Sequence, residues 1–492
     1  MSASAKGWDE AIGAAFDRVF PPRANPWRNL GPLAFLFFVA CLASGIYLYA
    51  VFDTSVEGAY RSGRALTEDP HLAGRLARGV HRYAADAFAL TTALHLAREM
   101  ARGHFRAWRA WSWLSGVALV PLAWIAGITG FWLAWDARAL FSAVASAEWL
   151  AAAPWRLDAF ARDFVGGEAM TDRFFSLVVF VHIGVPLAAL ALAWAHFLRL
   201  SHVRAWPPAP LAAGSLASLA ALALLWPAAS LGPADPFSTP ATIAIDWFYM
   251  FPHALAEAFT PSGLWLAAAC AMALLLALPL LRGPDVRAAV VDLAQCNGCA
   301  RCAADCPFGA VVMAPRSDGR PHEREARVLP SLCAACGICA GACPSSTPFR
   351  RMAPLVSGIE LPALAVDSLR ASVDAGLRRI DRPVVLFACA PAANDAALDG
   401  HRVARVAVEC AAMVPPSLVE YALRRGARAV VVAGCREDDC EYRLGDRWTI
   451  ERVRGLRAPR LRTAVPRDRV RLAWCGRDAR ALERILEEVS HA

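Results

Sequence analysis

The chain has 492 residues, 57% of them hydrophobic and 19% charged, with a formal charge of +8 at neutral pH. That length exceeds what a single hydrophobic core organises, so several domains are expected. Of the 51 basic residues only Lys6 is lysine, and the arginines gather at the ends of apolar runs, which argues for membrane topology and against a nucleic-acid partner.

Residues 1–28 are polar with scattered charges and lack the apolar core of a cleavable signal peptide, so none is expected there. Uncharged stretches follow at 29–52, 110–135, 174–198, 205–234 and 258–281, each near or above the roughly 20 residues that cross a bilayer as a helix. A sixth span at 79–100 contains Arg82, Asp86 and Arg98 and scores weakly on hydropathy, yet it carries two histidines that give it a reason to be buried. Arg18, Arg23 and Arg28 precede the first span, Arg98, Arg102, Arg106 and Arg109 lie between the second and third, and Arg199 and Arg204 follow the fourth. The positive-inside rule makes those ends cytoplasmic and the arginine-free loop 231–261 external, while Arg61, Arg64, Arg75 and Arg78, mixed with acids, weigh slightly against it. The expectation is a multi-pass protein of the cell (inner) membrane. Both termini then lie in the reducing cytoplasm, where thiolates bind metals more often than they form disulfides.

His81 and His95 stand 14 residues apart within one span, and His182 and His196 repeat the interval in another. In a helix, 14 residues return a side chain to within roughly 40° of the same face, about 21 Å further along the axis. The second and fourth spans run in the same direction, so His81 is expected to meet His182 near the outer face and His95 to meet His196 near the inner one. Two bis-imidazole sites suit two b-type haems, whereas any one of these histidines alone would read equally as a packing residue. Gly31 with Gly45, and Gly116 with Gly130, repeat the same interval on the first and third spans, where a missing side chain lets a flat macrocycle approach the backbone.

On these residues, positions 8 to about 282 resemble the cytochrome b of quinol-oxidising bc-type complexes; Gly166 and Gly167 ahead of Arg173-Phe174-Phe175 are similar to the segment leading into that family's fourth helix. The resemblance implies that Arg82 and Arg98 pair with haem propionates; interfacial anchoring is the other reading. It also implies a quinol site at Ile245-Asp246-Trp247-Phe248-Tyr249, where the family has Pro-Glu-Trp-Tyr. Asp246 and Tyr249 are the candidate catalytic residues there, the carboxylate accepting a quinol proton. The alternative is an interfacial aromatic belt with a solvated aspartate. Asp86 reads as a proton group or as a partner of Arg82, and His202 lies one residue from the place of the family's quinone-reduction histidine. The resemblance is compatible with a homodimer. Cys41 and Cys270 lie in spans and read as packing residues.

Past Arg282-Gly283-Pro284 the chain leaves the membrane. Cys296, Cys299, Cys302 and Cys306 precede Pro307, and Cys333, Cys336, Cys339 and Cys343 precede Pro344, both as C-x2-C-x2-C-x3-C-P. This is the bacterial two-cluster ferredoxin run, in which the last cysteine of each run serves the other cluster. Cys296, Cys299, Cys302 and Cys343 are therefore assigned to one 4Fe–4S cluster, and Cys333, Cys336, Cys339 and Cys306 to a second. The chain is expected to turn sharply at Gly298 and Gly337. Structural zinc, the competing reading, sets two close pairs far apart and does not repeat a triplet with a trailing Cys-Pro.

From 383 onward strand-like runs at 384–388, 403–408, 429–433 and 470–474 alternate with helical patterns at 416–425, 447–456 and 478–489, which predicts a small α/β domain with a mainly parallel sheet. No glycine-rich nucleotide fingerprint follows a strand. Cys389, Cys410, Cys435 and Cys475 fall at strand ends, with Cys440 close behind. The run Ala433-Gly434-Cys435 to Asp439-Cys440-Glu441-Tyr442, with Cys389 and Cys410 upstream, resembles the delta subunit of methyl-viologen-reducing hydrogenase, although only Cys389, within Ala388-Cys389-Ala390-Pro391, stands at the first strand. The resemblance implies a 2Fe–2S cluster on Cys389, Cys410, Cys435 and Cys440, outside which Cys475 falls; redox-silent thiols are the alternative.

The expected architecture is multidomain: an all-α transmembrane bundle of six helices at 1–284, an α+β ferredoxin-like domain at 285–348, a linker and helix at 349–381, and a small α/β domain at 382–492. The expected function is a membrane-bound electron-transfer subunit of a larger complex. It would link the quinone pool, through two b haems and the iron–sulfur clusters, to a cytoplasmic flavoprotein or a hydrogenase- or heterodisulfide-reductase-like subunit. The alternative is a lipid-embedded anchor and docking adaptor without its own quinone site.

Overall fold

The computed structural model describes residues 3–153, 171–198, 203–235, 237, 242–281, 287–344, 357–389, 402–476 and 478–491. Gly166, Gly167, Arg199, His202, Arg282, Gly283, Pro284, Ala390 and Pro391, quoted above, lie outside the described residues. Contacts divide the chain into two compact units, Met1–Leu198 with Val203–Arg282, and Arg199–His202 with Gly283–Ala492.

The first unit is helical: α1 (Ala3–Phe16), α2 (Leu30–Val51), α3 (Gly58–Thr67), α4 (Ala73–Arg102), α5 (Ala110–Leu133), α6 (Ala137–Ala151), α7 (Asp172–Phe197), α8 (Ala209–Leu225), α9 (Phe251–Ala258) and α10 (Pro261–Ala277). Among the described residues four stretches are both long and apolar enough to cross a membrane, Pro26–Val51, Ala107–Leu133, Phe175–Phe197 and Pro261–Leu280. These are four of the six expected spans; the other two meet only one of the two conditions. The 30 residues of α4 reach about 45 Å but include charges, and the 17 apolar residues of α8 reach only about 26 Å. α4 ends in a left-handed glycine, Gly103 (φ 75°), whose N–H and that of His104 close on the carbonyls of Met100 and Glu99, a Schellman cap that stops the helix just past its arginines. α2 packs along α4 and α5 along α7, and α4 also touches α5, so the two histidine-bearing helices each lie against a glycine-bearing one.

In the second unit β1 (Val290–Val291), α11 (Arg301–Asp305) and β2 (Val311–Pro315) are followed by β3 (Arg324–Val328), α12 (Ile338–Ala342) and β4 (Ile359–Glu360). β1 pairs antiparallel with β4 and β2 with β3, so two βαβ-like halves close on each other. β4 lies inside the segment 349–381, expected to be linker and helix, and pairs with β1 ahead of that helix. Without β4 the amides of β1 would lack their partners. Helix α13 (Val366–Arg379) follows, burying Val366, Leu369 and Val373 on one face.

The remainder matches the expected alternation. β5 (Val384–Cys389), β6 (Val403–Val408), β7 (Ala429–Ala433) and β8 (Val470–Ala473) form a parallel sheet in the order β6-β5-β7-β8, joined by α14 (Pro416–Arg424), α15 (Gly445–Arg454) and the terminal α16 (Ala479–His491). Every residue of β5 is buried, as a central parallel strand covered on both faces requires.

Candidate functional site

Each of the four spaced glycines faces one of the four histidines. A Cβ on Gly45 would lie 3.2 Å from Cε1 of His81, and one on Gly31 3.3 Å from that of His95. On the other helix pair, Gly116 meets His196 at 3.3 Å and Gly130 meets His182 at 2.8 Å. The missing side chains thus leave room for the imidazoles. Across the bundle the rings of His81 and His182 stand 6.1 Å apart, centroid to centroid. Two metal–imidazole bonds of about 2 Å each, with a ring radius on either side, fill such a gap. His95 and His196 are likewise within electrostatic reach of each other.

The other ring nitrogen is occupied. Nδ1 of His81 lies 3.0 Å from the carbonyl of Cys41 and 3.1 Å from Oγ of Ser44, whose own proton goes to Ala40 O at 2.7 Å. His182 repeats this with Ala126 O (2.9 Å) and Thr129 Oγ1 (3.4 Å), and His196 with Ser115 Oγ (2.9 Å). With each hydroxyl donating back into its helix, Nδ1 carries the proton and donates, so Nε2 keeps a bare lone pair for a metal. These hydroxyls escaped the sequence reading, though a signal exists: Ser44, Ser115 and Thr129 each directly precede one of the glycines. Leu30 precedes the fourth, and there Glu99 Oε1 stands 4.0 Å from Nδ1 of His95 while Oε2 takes His104 Nδ1 at 2.6 Å.

Arg82 and Arg98 have carboxylate partners. Arg98 donates to Asp9 at 2.8 Å, and Arg82 binds both Asp86 and Asp246 while lying over the ring of Phe131. Asp86 is therefore an ion-pair partner. Asp246 is buried, 7% exposed, which corrects the solvated alternative; its Oδ1 accepts from the amides of Phe248 (3.0 Å) and Tyr249 (2.9 Å). Tyr249 is buried too. Its hydroxyl donates to Ala85 O at 2.7 Å, its ring occupies the space a side chain at Gly127 would need, and its carbonyl accepts from Trp124 Nε1. Trp247, 75% exposed, is the belt-like member of this run.

In the second unit Cys296, Cys299, Cys302 and Cys343 line one cavity of about 310 Å³, and Cys306, Cys333, Cys336 and Cys339 line another of about 320 Å³, solvent-open space included. Among the described residues no three metal-ligating side chains close around a single ion. Three cysteines of one run and the last of the other surround each volume, the arrangement expected. Gly298 (φ 67°) and Gly337 (φ 72°) make the left-handed turns between cysteines. Amides aim at the sulfurs: Ala289 N at Cys333 Sγ (3.4 Å), Ala310 N at Cys306 Sγ (3.3 Å), and Gly358 N, in the former linker, at Cys343 Sγ (3.3 Å). Burial, followed by the thiols of Cys299, Cys343 and Cys296, pushes Cys302 up to about 12; crowded thiols of this kind ionise when a metal takes them. Replacing Cys343 by serine should therefore remove the same iron as replacing Cys296, and leave the iron of the Cys333 run; iron assay with EPR of each variant checks the cross-pairing.

At the carboxyl edge of the parallel sheet, Cys389 and Cys435 lie 4.0 Å apart, sulfur to sulfur. The thiol of Cys440 is within hydrogen-bonding reach of those of Cys435 and Cys410, and Gly445, at the start of α15, leaves open the space that Cys410 and Cys440 fill. The thiols of Cys389 and Cys440 hold Cys435 well below the ordinary thiol range. All four cysteines of the expected set are thus brought together. Cys475, buried at the end of β8, neighbours Cys435 outside that group.

Comparison with known proteins agrees with this order of sites. Residues 15–204 match the cytochrome b/b6/petB family model, 295–347 the 4Fe-4S dicluster domain, and 384–491 the methyl-viologen-reducing hydrogenase delta subunit. Cytochrome b6 of Mesostigma viride is 31% identical over 186 residues, 37% of this chain and 84% of that protein; cytochrome b6 of Oltmannsiellopsis viridis gives the same figures. Among solved structures, a chain of a hyperthermophilic respiratory Complex III aligns with a TM-score of 0.44 at 21% identity, covering 52% of this chain and 76% of that one. The chain belongs to the cytochrome b/b6 family: it is a multi-pass membrane electron-transfer protein whose haem-b-type helical region is continued by a 4Fe-4S dicluster domain and a hydrogenase-delta-subunit domain.

Proposed function

We propose that this chain links the membrane quinone pool to a cytoplasmic redox partner, a flavoprotein or hydrogenase-like subunit docked on residues 382–492. The observation that supports it best is the presence, on one polypeptide, of two imidazole pairs at two depths and three grouped sets of cysteines. Bound haem b, 4Fe–4S and 2Fe–2S groups supply one-electron carriers. His81 with His182, and His95 with His196, would hold two haems, the Nδ1 protons of His81, His182 and His196 being spent on helix carbonyls and hydroxyls. The eight ferredoxin-type cysteines would hold two 4Fe–4S clusters, and Cys389, Cys410, Cys435 and Cys440 a 2Fe–2S cluster. The arginine distribution supports both termini and all cysteine sites being cytoplasmic.

A second reading, an anchor and adaptor without a quinone site, is favoured by one observation: the Asp246 carboxylate is committed to Arg82 and to two backbone amides. Stopped-flow mixing of the purified, oxidised chain with a quinol analogue separates the two. Reduction of the b-type absorbance within seconds is expected. Haems that respond to dithionite but not to quinol would establish the adaptor instead.

A further inference from the structure

The segment around Cys410 is seated on the ferredoxin-like fold by buried polar contacts. Arg452 of α15, 1% exposed, donates to Ala412 O at 2.7 Å and to Asp305 Oδ2 at 2.5 Å. Asp305 directly precedes Cys306; its Oδ1 accepts from Arg457 at 2.7 Å and its carbonyl from Trp448 Nε1 at 3.1 Å. Opposite, the side chain of Met413 rests on Gly337 and the carbonyl of Ala412 on Gly341, positions where any Cβ would collide. Both glycines lie within two residues of Cys336 or Cys339. The segment that follows Cys410 therefore packs on the run that carries Cys336 and Cys339.

Two facts set Arg452 apart from an ordinary buried ion pair. Its Nε–H is buried and has no hydrogen-bond partner among the described residues, a costly state for a donor on a charged group. Its guanidinium is held between Asp305 and the carbonyl of Ala412, two residues past Cys410. An unspent donor on a buried cation that holds the segment following Cys410 suits a thiolate-bound centre, whose potential depends on neighbouring charge and on hydrogen bonds to sulfur.

We propose that Arg452 is a positioning residue shared by two iron–sulfur sites: it seats the Cys389/Cys410/Cys435/Cys440 site against the Cys306/Cys333/Cys336/Cys339 site, and its buried charge favours the reduced state of the former. This rests on the reading that those four cysteines hold a cluster. Reduction adds one electron and makes or breaks no bond, so a fixed positive charge nearby shifts its equilibrium directly.

The test is an EPR-monitored redox titration of the full chain, following the signal that Cys410→Ser abolishes. Arg452→Gln is expected to lower the reduction equilibrium constant about tenfold, about 59 mV for one electron. Arg452→Lys should restore most of it. Asp305→Asn, which removes the opposing charge and keeps the arginine, is expected to shift the midpoint the other way, a pair of opposite signs that general loosening of the interface cannot produce. If Cys410→Ser leaves every signal in place, the cluster reading and this inference fall together. If the signal depends on Cys410 but the Arg452 and Asp305 variants keep the original midpoint or move it in the same direction, the inference alone falls.

Discussion

Valine at Gly130 is expected to remove the haem proposed for His81 and His182, with haem per protein falling from the proposed two toward one. The added Cβ would sit 2.8 Å from Cε1 of His182, closer than side-chain carbons approach, and the ring cannot retreat. Its Nδ1 is held by Ala126 O and Thr129, and its other face looks toward His81. Overpacking of this kind costs about 1–3 kcal/mol per inserted group, enough at the upper end for a hundredfold loss of occupancy. Alanine at Gly31, Gly45 or Gly116 meets its imidazole at 3.2–3.3 Å, where a few tenths of an ångström of adjustment suffice, so those variants should stay near two haems. Pyridine haemochrome assay of the four variants gives the ranking. A Gly130→Val protein that retains both haems would show that this glycine–histidine contact does not govern haem binding.

The second large effect is expected at Arg82, replaced by leucine. That guanidinium lies between Asp86 and Asp246, whose side chains are 19% and 5% exposed, and its removal leaves two carboxylates close together with no countercharge. Breaking a buried ion pair from one side costs about 3–5 kcal/mol. The 29% exposure of the Arg82 side chain points to the lower end of that range, because solvent screens part of the pair. Thermal unfolding in detergent should show a clear drop in midpoint. Asp246→Asn should be milder, since an amide oxygen still accepts from the amides of Phe248 and Tyr249. It also separates architecture from chemistry: a stable Asp246→Asn protein that still takes electrons from quinol would remove the carboxylate from the list of proton acceptors. An Arg82→Leu variant as stable as the parent would mean that the two acids are solvated after all.

Intervals and residue types carried most of the reading. Four histidines and four glycines at one repeated spacing, and eight cysteines in two identical runs, are legible in one dimension because a helix converts spacing into a face and a cluster needs several thiolates within a short stretch. The strands β5, β6, β7 and β8 were legible for a similar reason: buried parallel strands read as short apolar runs between helical patterns.

What the chain order hid were pairings between distant segments. The hydroxyls at His81, His196 and His182, those of Ser44, Ser115 and Thr129, come from another helix, and only packing of α2 on α4 and α5 on α7 brings them to the rings. Strand β4 is two residues long, too short for any periodicity, and exists because β1 across the fold offers it unpaired amides. Asp246 carries the residue type of a surface acid; its burial follows from Arg82, 164 positions earlier, and from the turn that its own side chain closes. Arg452 reads locally as one more charge on a polar helix, and it became a buried cation between two cysteine sites when α15 docked on Asp305. Local sequence sets which face or turn a residue can occupy, while long-range packing sets which charge or sulfur it meets, and that second term governs burial and electrostatics.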